Sequence, residues 1–331
     1  MKKRLIKKLS SETIPKIVVI LGPTATGKSD LAVKLALRLS SGQAKKLYGI
    51  NGAEIISADS RQVYRGVDLG SDKITKEETR GIRHYLIDVA SPKKKFSAAQ
   101  YKKLAEKAIK DIWKRGKIPI ICGGTGLYID TLIYDRNLPA AKPNLKLRRS
   151  LEKKIAEELF EELKKLDPKR AGNIDRFNKR RLVRALEIVI ETGKPVGILR
   201  LFDYAQGKQA QDKNLPYKFL KIGIVVPSKE LKRRIKKRTL QRLRGGVIQE
   251  MENFRKAGVS DKKLDEVSLY YRWVRPYLRG EINQKNTLEL ISTKIWQYAK
   301  RQMTWFKRDK NILWIKNSRE AERAVKEFLK N

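Results

Sequence analysis

A short segment at residues 22–29, GPTATGKS, constrains the fold of this chain more than any other feature. It matches the phosphate-loop pattern G-x-x-x-x-G-K-[S/T]. The β-branched run Lys16–Leu21 precedes it, and a helical pattern from Asp30 to Leu39 follows it. In this setting, backbone amides and the helix N-terminus bind phosphate oxygens. We therefore predict a bound diphosphate or triphosphate, whose charge Lys28 would neutralise and whose Mg²⁺ Ser29 would ligate. The predicted binding residues are Gly22, Thr24, Ala25, Thr26, Gly27, Lys28 and Ser29.

Further apolar runs alternate with helical patterns after this loop. They predict strands at Glu54–Ser57, Tyr85–Val89 and Ile118–Cys122. Such alternation is typical of a parallel, doubly wound sheet, in which ligands bind beyond the carboxyl ends of the strands. The segments ADS and GGTG follow two of these strands, just as the phosphate loop follows the first. The predicted fold class is therefore α/β, a P-loop NTPase-like doubly wound parallel sheet.

The pattern changes from about residue 138. Two long charged helices are predicted at Leu145–Leu166 and Asp175–Glu191, with no strand between them, and strand character returns at Phe219–Val226. We therefore predict a catalytic core of residues 1–137 and 215–331, interrupted by a helical insertion domain at residues 138–214.

The charge of the chain favours a polyanionic partner. Lys and Arg number 77 and Asp and Glu 36, a formal net charge of +41. Nucleic acid is the first candidate and an anionic membrane surface the second, while basicity that only aids solubility is the remaining alternative. No run approaches the ~18 apolar residues of a membrane span. The single cysteine, Cys122, and the single histidine, His84, exclude an intrachain disulfide and a Cys- or His-rich metal cage. We expect a cytoplasmic, monomeric protein that does not bind membranes.

Two polar residues follow predicted strands at the level of the phosphate loop. Asp59, in ISADS, could act as a general base, as a Mg²⁺ ligand, or only as the cap of a turn. Thr125, in GGTG, could position a substrate through its hydroxyl or serve only as a turn residue. The pattern alone leaves these alternatives open.

A basic helix predicted at Lys229–Leu243 turns two arginines towards its apolar side. Leu231 and Ile235 mark the buried stripe, and Arg238 and Arg242 continue it. An arginine on a buried face needs an anionic partner, which could be a diphosphate or an interior carboxylate.

A later helix, predicted at Thr287–Phe306, carries a polar residue on its apolar stripe. This residue is Gln302, so a buried polar contact is predicted there.

Together these segments resemble the tRNA dimethylallyltransferases, also called isopentenyl-diphosphate:tRNA isopentenyltransferases. The matching segments run in the family's order from Gly22 to Trp305. They are GPTATGKS, IISADSRQVYRG, HYLIDVASP, FSAAQY, GGTGLYI, RRLVRALEI with TGKP, RIKKRTLQRLRGG with Glu250, YLRGEI and AKRQMTW.

The resemblance implies transfer of a dimethylallyl group from dimethylallyl diphosphate to the exocyclic amine of the adenosine 3′-adjacent to the anticodon in tRNA. The phosphate loop would then hold the diphosphate of an isoprenoid, with Mg²⁺ as cofactor. Asp59 matches the family's general base, Thr125 a substrate-positioning threonine, and Arg238 the arginine that clamps the diphosphate.

The resemblance also implies that the insertion at 138–214 grips the anticodon stem-loop. Residues of the insertion and of the core match RNA-facing positions of the family. They are Asp59, Ser60, Arg61, Gln62, Thr125, Arg148, Arg180, Arg181, Arg184, Tyr271 and Arg272.

Three features depart from the family pattern. Arg242 stands where the family usually has an apolar residue, so it adds either a phosphate contact or a salt bridge. The segment Ser268–Tyr270 also differs from the glycine or glutamate found there in the family. The basic residues 1–13 lie outside the resemblance. They are either an N-terminal arm that contacts RNA or only a solvated segment.

Three other functions compete with this interpretation. A relative that prenylates free adenine nucleotides would need neither the high charge nor the insertion. A phosphate-loop kinase would bind ATP and a phosphate acceptor. A non-catalytic RNA-binding protein would not need Lys28, Asp59, Thr125 and Arg238 together.

Overall fold

A computed structural model describes residues 14–134, 144–195 and 217–330. One six-stranded sheet has the order β3-β2-β4-β1-β5-β6, and every adjacent pair is parallel. The predicted α/β class with a parallel sheet is confirmed. The strands are β1 (Lys16–Leu21), β2 (Ala53–Ser57), β3 (His84–Tyr85), β4 (Ile118–Gly123), β5 (Lys218–Ile224) and β6 (Leu313–Ile315).

Helices connect and cover these strands. No helix in the described ranges is both long and apolar enough to cross a membrane. In chain order they are α1 (Lys28–Leu39), α2 (Gly42–Tyr48), α3 (Lys76–Thr79), α4 (Ala98–Lys114), α5 (Gly126–Ile133), α6 (Leu145–Leu151), α7 (Ala156–Leu166), α8 (Pro168–Ala171), α9 (Lys179–Thr192), α10 (Ser228–Arg244), α11 (Val247–Lys256), α12 (Asp261–Val267), α13 (Tyr271–Leu278), α14 (Gln284–Phe306) and α15 (Ser318–Lys330).

Both faces of the sheet are buried. Along β1, Val18 and Ile20 belong to one apolar core, whereas Ile17 and Val19 belong to the other. Helices α1 and α15 supply the first core, and α4, α5, α10 and α14 supply the second. A parallel sheet covered on both faces needs strands that are apolar throughout, which is why the run KIVVIL forms its centre.

The strand order brings three loops to one edge of the sheet. Strands β2, β4 and β1 are neighbours, and their ends are in register, since Ser57 pairs with Cys122 and Leu21 with Gly123. The segments ADS, GGTG and GPTATGKS continue from these ends. The three polar segments therefore meet where ligands of such sheets bind.

The third strand is shorter than its apolar pattern predicted. We predicted Tyr85–Val89, but β3 spans only His84–Tyr85. Leu86 and Asp88 adopt left-handed φ angles of 63° and 58°, which end the strand. The Asp88 carboxylate accepts a hydrogen bond from the buried Lys73 ammonium at 2.5 Å. The chain therefore turns at residues 86–88, where Asp88 pairs with Lys73, and the apolar pattern of this segment does not predict that turn.

The chain divides into two compact units. The divisions fall between residues 135 and 136 and between residues 212 and 213. These points lie outside the described residues, as do the predicted boundaries at 137/138 and 214/215 and the basic segment 1–13.

The smaller unit consists of helices. The single helix predicted at Leu145–Leu166 is wrong, because α6 ends at Leu151 and α7 begins at Ala156. Between them Ile155 is extended, and its N–H donates to the Glu158 carboxylate at 3.1 Å, which starts a new helix. Helix α9 begins four residues later than predicted, since Asn178 caps it by accepting from the Arg181 N–H at 3.2 Å. The core of this unit includes Leu159, Leu163, Leu182 and Leu186.

Candidate active site

The phosphate loop, residues 22–29, forms a tight turn between β1 and α1. Gly22 has a φ of 141°, and a Cβ there would lie 3.3 Å from the carbonyl oxygen of Ile224. The Thr26 hydroxyl donates to the Pro23 carbonyl at 2.9 Å and closes the loop on itself. Gly22 and Thr26 therefore shape the loop. The other predicted residues, Thr24, Ala25, Gly27, Lys28 and Ser29, line a cavity beside it.

Lys28 lies within this loop. Its ammonium donates to the Pro23 carbonyl at 2.5 Å. Burial lowers the pKa of Lys28 to about 8; Cys122 and Asp59 oppose this shift, and Arg238 adds to it. A bound phosphate would favour the charged form of the amine, so ligand binding and protonation of Lys28 are coupled.

Ser29 is an exposed residue of the first turn of α1. Residues 14–134, 144–195 and 217–330 contain no group of three or more His, Cys, Asp or Glu side chains placed to hold a metal ion. Mg²⁺ usually keeps waters and substrate phosphate oxygens among its ligands and takes only one or two protein oxygens. The Ser29 hydroxyl and the Asp59 carboxylate line one cavity. They therefore fit an ion shared with a diphosphate rather than one caged by protein.

Asp59 follows β2 and lines the same cavity. Its Oδ1 accepts from the backbone N–H groups of Arg61, at 2.8 Å, and Gln62, at 3.4 Å. The carboxylate thus caps its own turn, which was one of the alternatives. Among the described residues Oδ2 has no hydrogen-bond partner, so one oxygen remains for a ligand.

Thr125 ties the loop after β4 to the loop that carries Asp59. Its hydroxyl accepts from the Ser60 N–H at 3.0 Å and donates to the Ser60 hydroxyl at 3.2 Å. Its own N–H donates to the Ala58 carbonyl at 3.1 Å. Thr125 does not line the cavity, so it acts on the site by holding the Asp59 turn.

The glycines of the GGTG segment allow a very close approach of neighbouring elements. A Cβ on Gly124 would collide with the Gln302 amide, and one on Gly126 would collide with the Trp305 ring. The Gln302 amide donates to the Gly124 carbonyl at 2.8 Å and accepts from the Thr24 N–H at 2.9 Å. The buried polar contact predicted for Gln302 is confirmed, and it fastens the phosphate loop to the neighbouring loop.

The two arginines of α10 turn inward, as the stripe predicted. Nη2 of Arg238 donates to the Thr24 hydroxyl at 2.6 Å and lies 3.1 Å from Oδ2 of Asp72. Nε of Arg242 donates to Oδ1 of Asp72 at 3.0 Å. Burial lowers the pKa of Arg238, but Asp72 and Tyr270 raise it by more than burial lowers it. The pKa of Arg238 is therefore raised overall, and the guanidinium stays charged. No local pattern singles out Asp72, because Arg238 and Arg242 lie more than 160 residues away from it along the chain.

These groups share one cavity of about 320 Å³. Its size falls in the usual range of small-ligand pockets, about 300–1,000 Å³. It is lined by the phosphate loop, by three arginines and by Asp59, whose Oδ2 has no hydrogen-bond partner among the described residues. It is lined by Thr24, Ala25, Gly27, Lys28, Ser29, Asp30, Asp59, Gln62, Ser71, Asp72, Ile74, Glu78, Arg80, Cys122, Gly123, Arg238 and Arg242.

Glu250 organises the segment that leads to Asp72. Its carboxylate accepts from the N–H groups of Asp68, Leu69 and Gly70 at 2.8–2.9 Å. The Tyr271 hydroxyl donates to the same carboxylate at 2.6 Å. Tyr271 is 0% exposed, so its ring has no surface to offer to RNA. The structure places Tyr271 in this supporting role rather than at the predicted tRNA contact.

Four other predicted RNA-facing residues of the core are at least partly exposed. The Arg61 guanidinium lies 4.9 Å from the centre of the Tyr298 ring, and its Nε has no hydrogen-bond partner within residues 14–134, 144–195 and 217–330. Gln62 donates to the Asp72 carbonyl at 3.1 Å and lines the cavity. Arg272 is exposed and lies over the Trp273 ring, and Ser60 is bound to Thr125 as described.

The four arginines predicted in the insertion separate into two pairs. Arg148 binds the fully buried Glu187 carboxylate with two nitrogens at 2.7 Å, and Arg184 binds the same carboxylate. Burial raises the pKa of Glu187, but these hydrogen bonds prevail and lower it, so Glu187 is charged. Arg148 and Arg184 therefore neutralise an interior acid. Arg180 and Arg181 are exposed on the first turn of α9.

A sequence profile of the family described as IPP transferase matches residues 62–309. The chain belongs to this family. Two curated IPP transferase relatives carry the name tRNA dimethylallyltransferase. The protein of Anoxybacillus flavithermus is 39% identical over 316 residues, which is 95% of each chain. That of Acetivibrio thermocellus is 38% identical over 304 residues, 90% of this chain and 91% of the relative.

Solved structures of IPP transferases agree with this membership. The full-length tRNA isopentenylpyrophosphate transferase of Bacillus halodurans is 33% identical, with a TM-score of 0.66 over 95% of this chain and 97% of that one. A eukaryotic dimethylallyltransferase described as acting on tRNA is 26% identical, with a TM-score of 0.73 over 91% of this chain and 74% of that one. The family resemblance, the P-loop NTPase-like fold and the enzyme class, a prenyltransferase, are confirmed.

Proposed function

We propose that this IPP transferase transfers a dimethylallyl group from dimethylallyl diphosphate to the exocyclic amine of the adenosine 3′-adjacent to the anticodon in tRNA. One observation carries the proposal: a single cavity is lined by the phosphate loop, Arg238 and Asp59, and Oδ2 of Asp59 has no hydrogen-bond partner among the described residues. A phosphate-binding end and a proton acceptor in one cavity fit a reaction in which diphosphate leaves as an amine attacks. The net charge of +41 and the names of the relatives support tRNA as the acceptor.

The chain's own cations stabilise the leaving group. As the allylic C–O bond breaks, negative charge grows on the diphosphate, and preorganised donors lower the energy of that state. Lys28, the amides of the phosphate loop and Arg238 supply these donors. Ser29 and diphosphate oxygens would hold Mg²⁺, which would neutralise further charge on the diphosphate.

Asp59 acts as the general base for the attacking amine. The adenosine amine forms the new C–N bond to the allylic carbon, and its surplus proton passes to Oδ2 of Asp59. Oδ1 stays bound to the Arg61 N–H, so the carboxylate keeps its orientation. Thr125 secures the same turn through Ser60.

The acceptor base has to leave its stack. A base inside an anticodon loop cannot reach a cavity at the edge of the sheet unless it is extruded into it. The exposed Arg180 and Arg181 would bind phosphates of the anticodon stem-loop, and Arg272 and the turn at residues 60–62 would bind the loop near the cavity. We place the reaction in the cytoplasm and expect the enzyme to act as a monomer.

A nucleoside mass-spectrometric assay tests the proposal. The protein is incubated with Mg²⁺, dimethylallyl diphosphate and unmodified tRNA, and parallel reactions contain AMP or ATP instead of tRNA. We expect prenylated adenosine only from tRNA. Product from AMP alone would make the chain a nucleotide prenyltransferase. ATP consumption without prenylation would make it a kinase.

A further inference from the structure

A buried carboxylate holds two arginines at the wall of the active-site cavity. The Asp72 side chain is 10% exposed, and each of its oxygens faces a guanidinium: Arg242 Nε lies 3.0 Å from Oδ1, and Arg238 Nη2 lies 3.1 Å from Oδ2. The Tyr270 hydroxyl donates to the same carboxylate at 3.1 Å. Asp72, Arg238 and Arg242 all line the cavity. The interior carboxylate that the arginine stripe predicted as one alternative is therefore present.

This cluster offers more donors than its carboxylate uses. A guanidinium has five N–H donors. Arg242 uses one of them on Asp72, and Arg238 uses one on the Thr24 hydroxyl while its Nη2 forms an ion pair with Asp72. Nε of Arg238 is buried and has no hydrogen-bond partner in the part of the chain that the structure describes. Buried N–H groups without partners are costly, so unused donors beside a phosphate loop indicate a ligand rich in acceptor oxygens.

The charges explain why the second arginine is needed. Without Arg242, the Asp72 carboxylate would neutralise Arg238 and repel a diphosphate. With Arg242 present, the cluster of two guanidinium groups and one carboxylate keeps a net positive charge. Guanidinium groups also match phosphate oxygens in bidentate geometry.

We infer that Arg242 is a second arginine of the diphosphate site, and that Asp72 is a positioning residue that holds it there and leaves Arg238 available to the ligand. This inference rests on the proposed function, because it takes the phosphate loop to bind the diphosphate of the donor. Tyr270 supports the arrangement by donating its proton to Asp72, since burial and the neighbouring carboxylate raise the pKa of Tyr270.

Calorimetric titration of the full chain with inorganic pyrophosphate and Mg²⁺ tests the inference without tRNA. Arg242→Met is expected to weaken binding about 10- to 100-fold, the usual effect of a charged hydrogen bond. In Arg242→Met the Asp72 carboxylate still neutralises Arg238. The double variant Asp72→Ala/Arg242→Met lacks that carboxylate and should therefore bind pyrophosphate more tightly than Arg242→Met. Arg244→Met removes the same charge from an exposed site on α10 and should leave binding unchanged.

Unchanged affinity in Arg242→Met would reduce Arg242 to a structural ion pair. A double variant that binds no more tightly than Arg242→Met would show that Asp72 does not neutralise Arg238, and would refute the charge argument for the second arginine. If Arg242→Met unfolds, Arg242→Gln keeps a donor for Asp72 without the charge and should show the same loss. A wild-type protein that binds no pyrophosphate would instead refute the proposed donor site itself, and this inference with it.

Discussion

The amide of Gln302 offers a quantitative test of how the site is assembled. Gln302 is 6% exposed and joins two catalytic loops through hydrogen bonds to the Thr24 N–H and the Gly124 carbonyl. In a Gln302→Leu variant both partners lose their hydrogen bonds while the volume stays similar. An unsatisfied buried group costs about 1–3 kcal/mol. Gly124 is buried, whereas Thr24 is partly exposed and can bind water, so we expect a loss of about 2–4 kcal/mol in total.

Urea denaturation monitored by circular dichroism measures this loss as a lower midpoint at an unchanged slope. Gln284→Leu, at the exposed start of the same helix, is the control and should change stability by less than about 0.5 kcal/mol. Pyrophosphate binding should also weaken in Gln302→Leu, because the phosphate loop is no longer fastened at Thr24. A variant with wild-type stability and wild-type pyrophosphate affinity would refute this account of the loops.

Three further predictions concern charge and packing. Because the pKa of free Lys28 is about 8 and a bound phosphate raises it, pyrophosphate affinity should fall above pH 8 by up to about tenfold per pH unit. In Lys28→Met the part of this pH dependence that is due to Lys28 should disappear, and only the part due to titration of pyrophosphate should remain. Equal pH profiles for the two proteins would contradict the role of Lys28 in binding. Arg180→Glu/Arg181→Glu should weaken tRNA binding and flatten its salt dependence by roughly the slope of two phosphates. The same change at the exposed Arg319 and Arg323 is the control, and equal effects would argue for nonspecific attraction. Gly126→Ala should lower stability by about 1–3 kcal/mol and alter Trp305 fluorescence, because its Cβ collides with the indole, whereas Gly42→Ala meets open space. A Gly126→Ala protein with wild-type stability and fluorescence would contradict the packing.

Features fixed by local pattern were predictable from the sequence. The run KIVVIL followed by GPTATGKS gave the first strand and the phosphate loop, because a parallel strand buried on both faces has few other sequence forms. The inward orientation of Arg238 and the buried contact of Gln302 followed from helical periodicity, which places residues on one face regardless of the partner. The partners themselves were not predictable in this way.

Features that depend on distant residues were not predictable. Asp72 is an ordinary loop residue in sequence, and its burial comes from Arg238 and Arg242, which lie more than 160 positions later. Tyr271 matched an RNA-facing position, yet Glu250 draws its hydroxyl into the interior. Arg148 and Arg184 looked like surface charges because nothing local reveals that Glu187 is buried between them.

The most direct test of the central claim is product formation by an Asp59→Asn variant in a single turnover. The claim is that Asp59 accepts the proton of the attacking amine in the cavity whose phosphate loop holds the leaving group. General-base catalysis typically contributes 10²- to 10⁴-fold. Quantifying prenylated adenosine over time, with tRNA and pyrophosphate affinities measured alongside, should show a rate loss of about this size and near wild-type binding. A wild-type rate would contradict the assigned base, and a rate loss explained by weak tRNA binding would make Asp59 a binding residue instead.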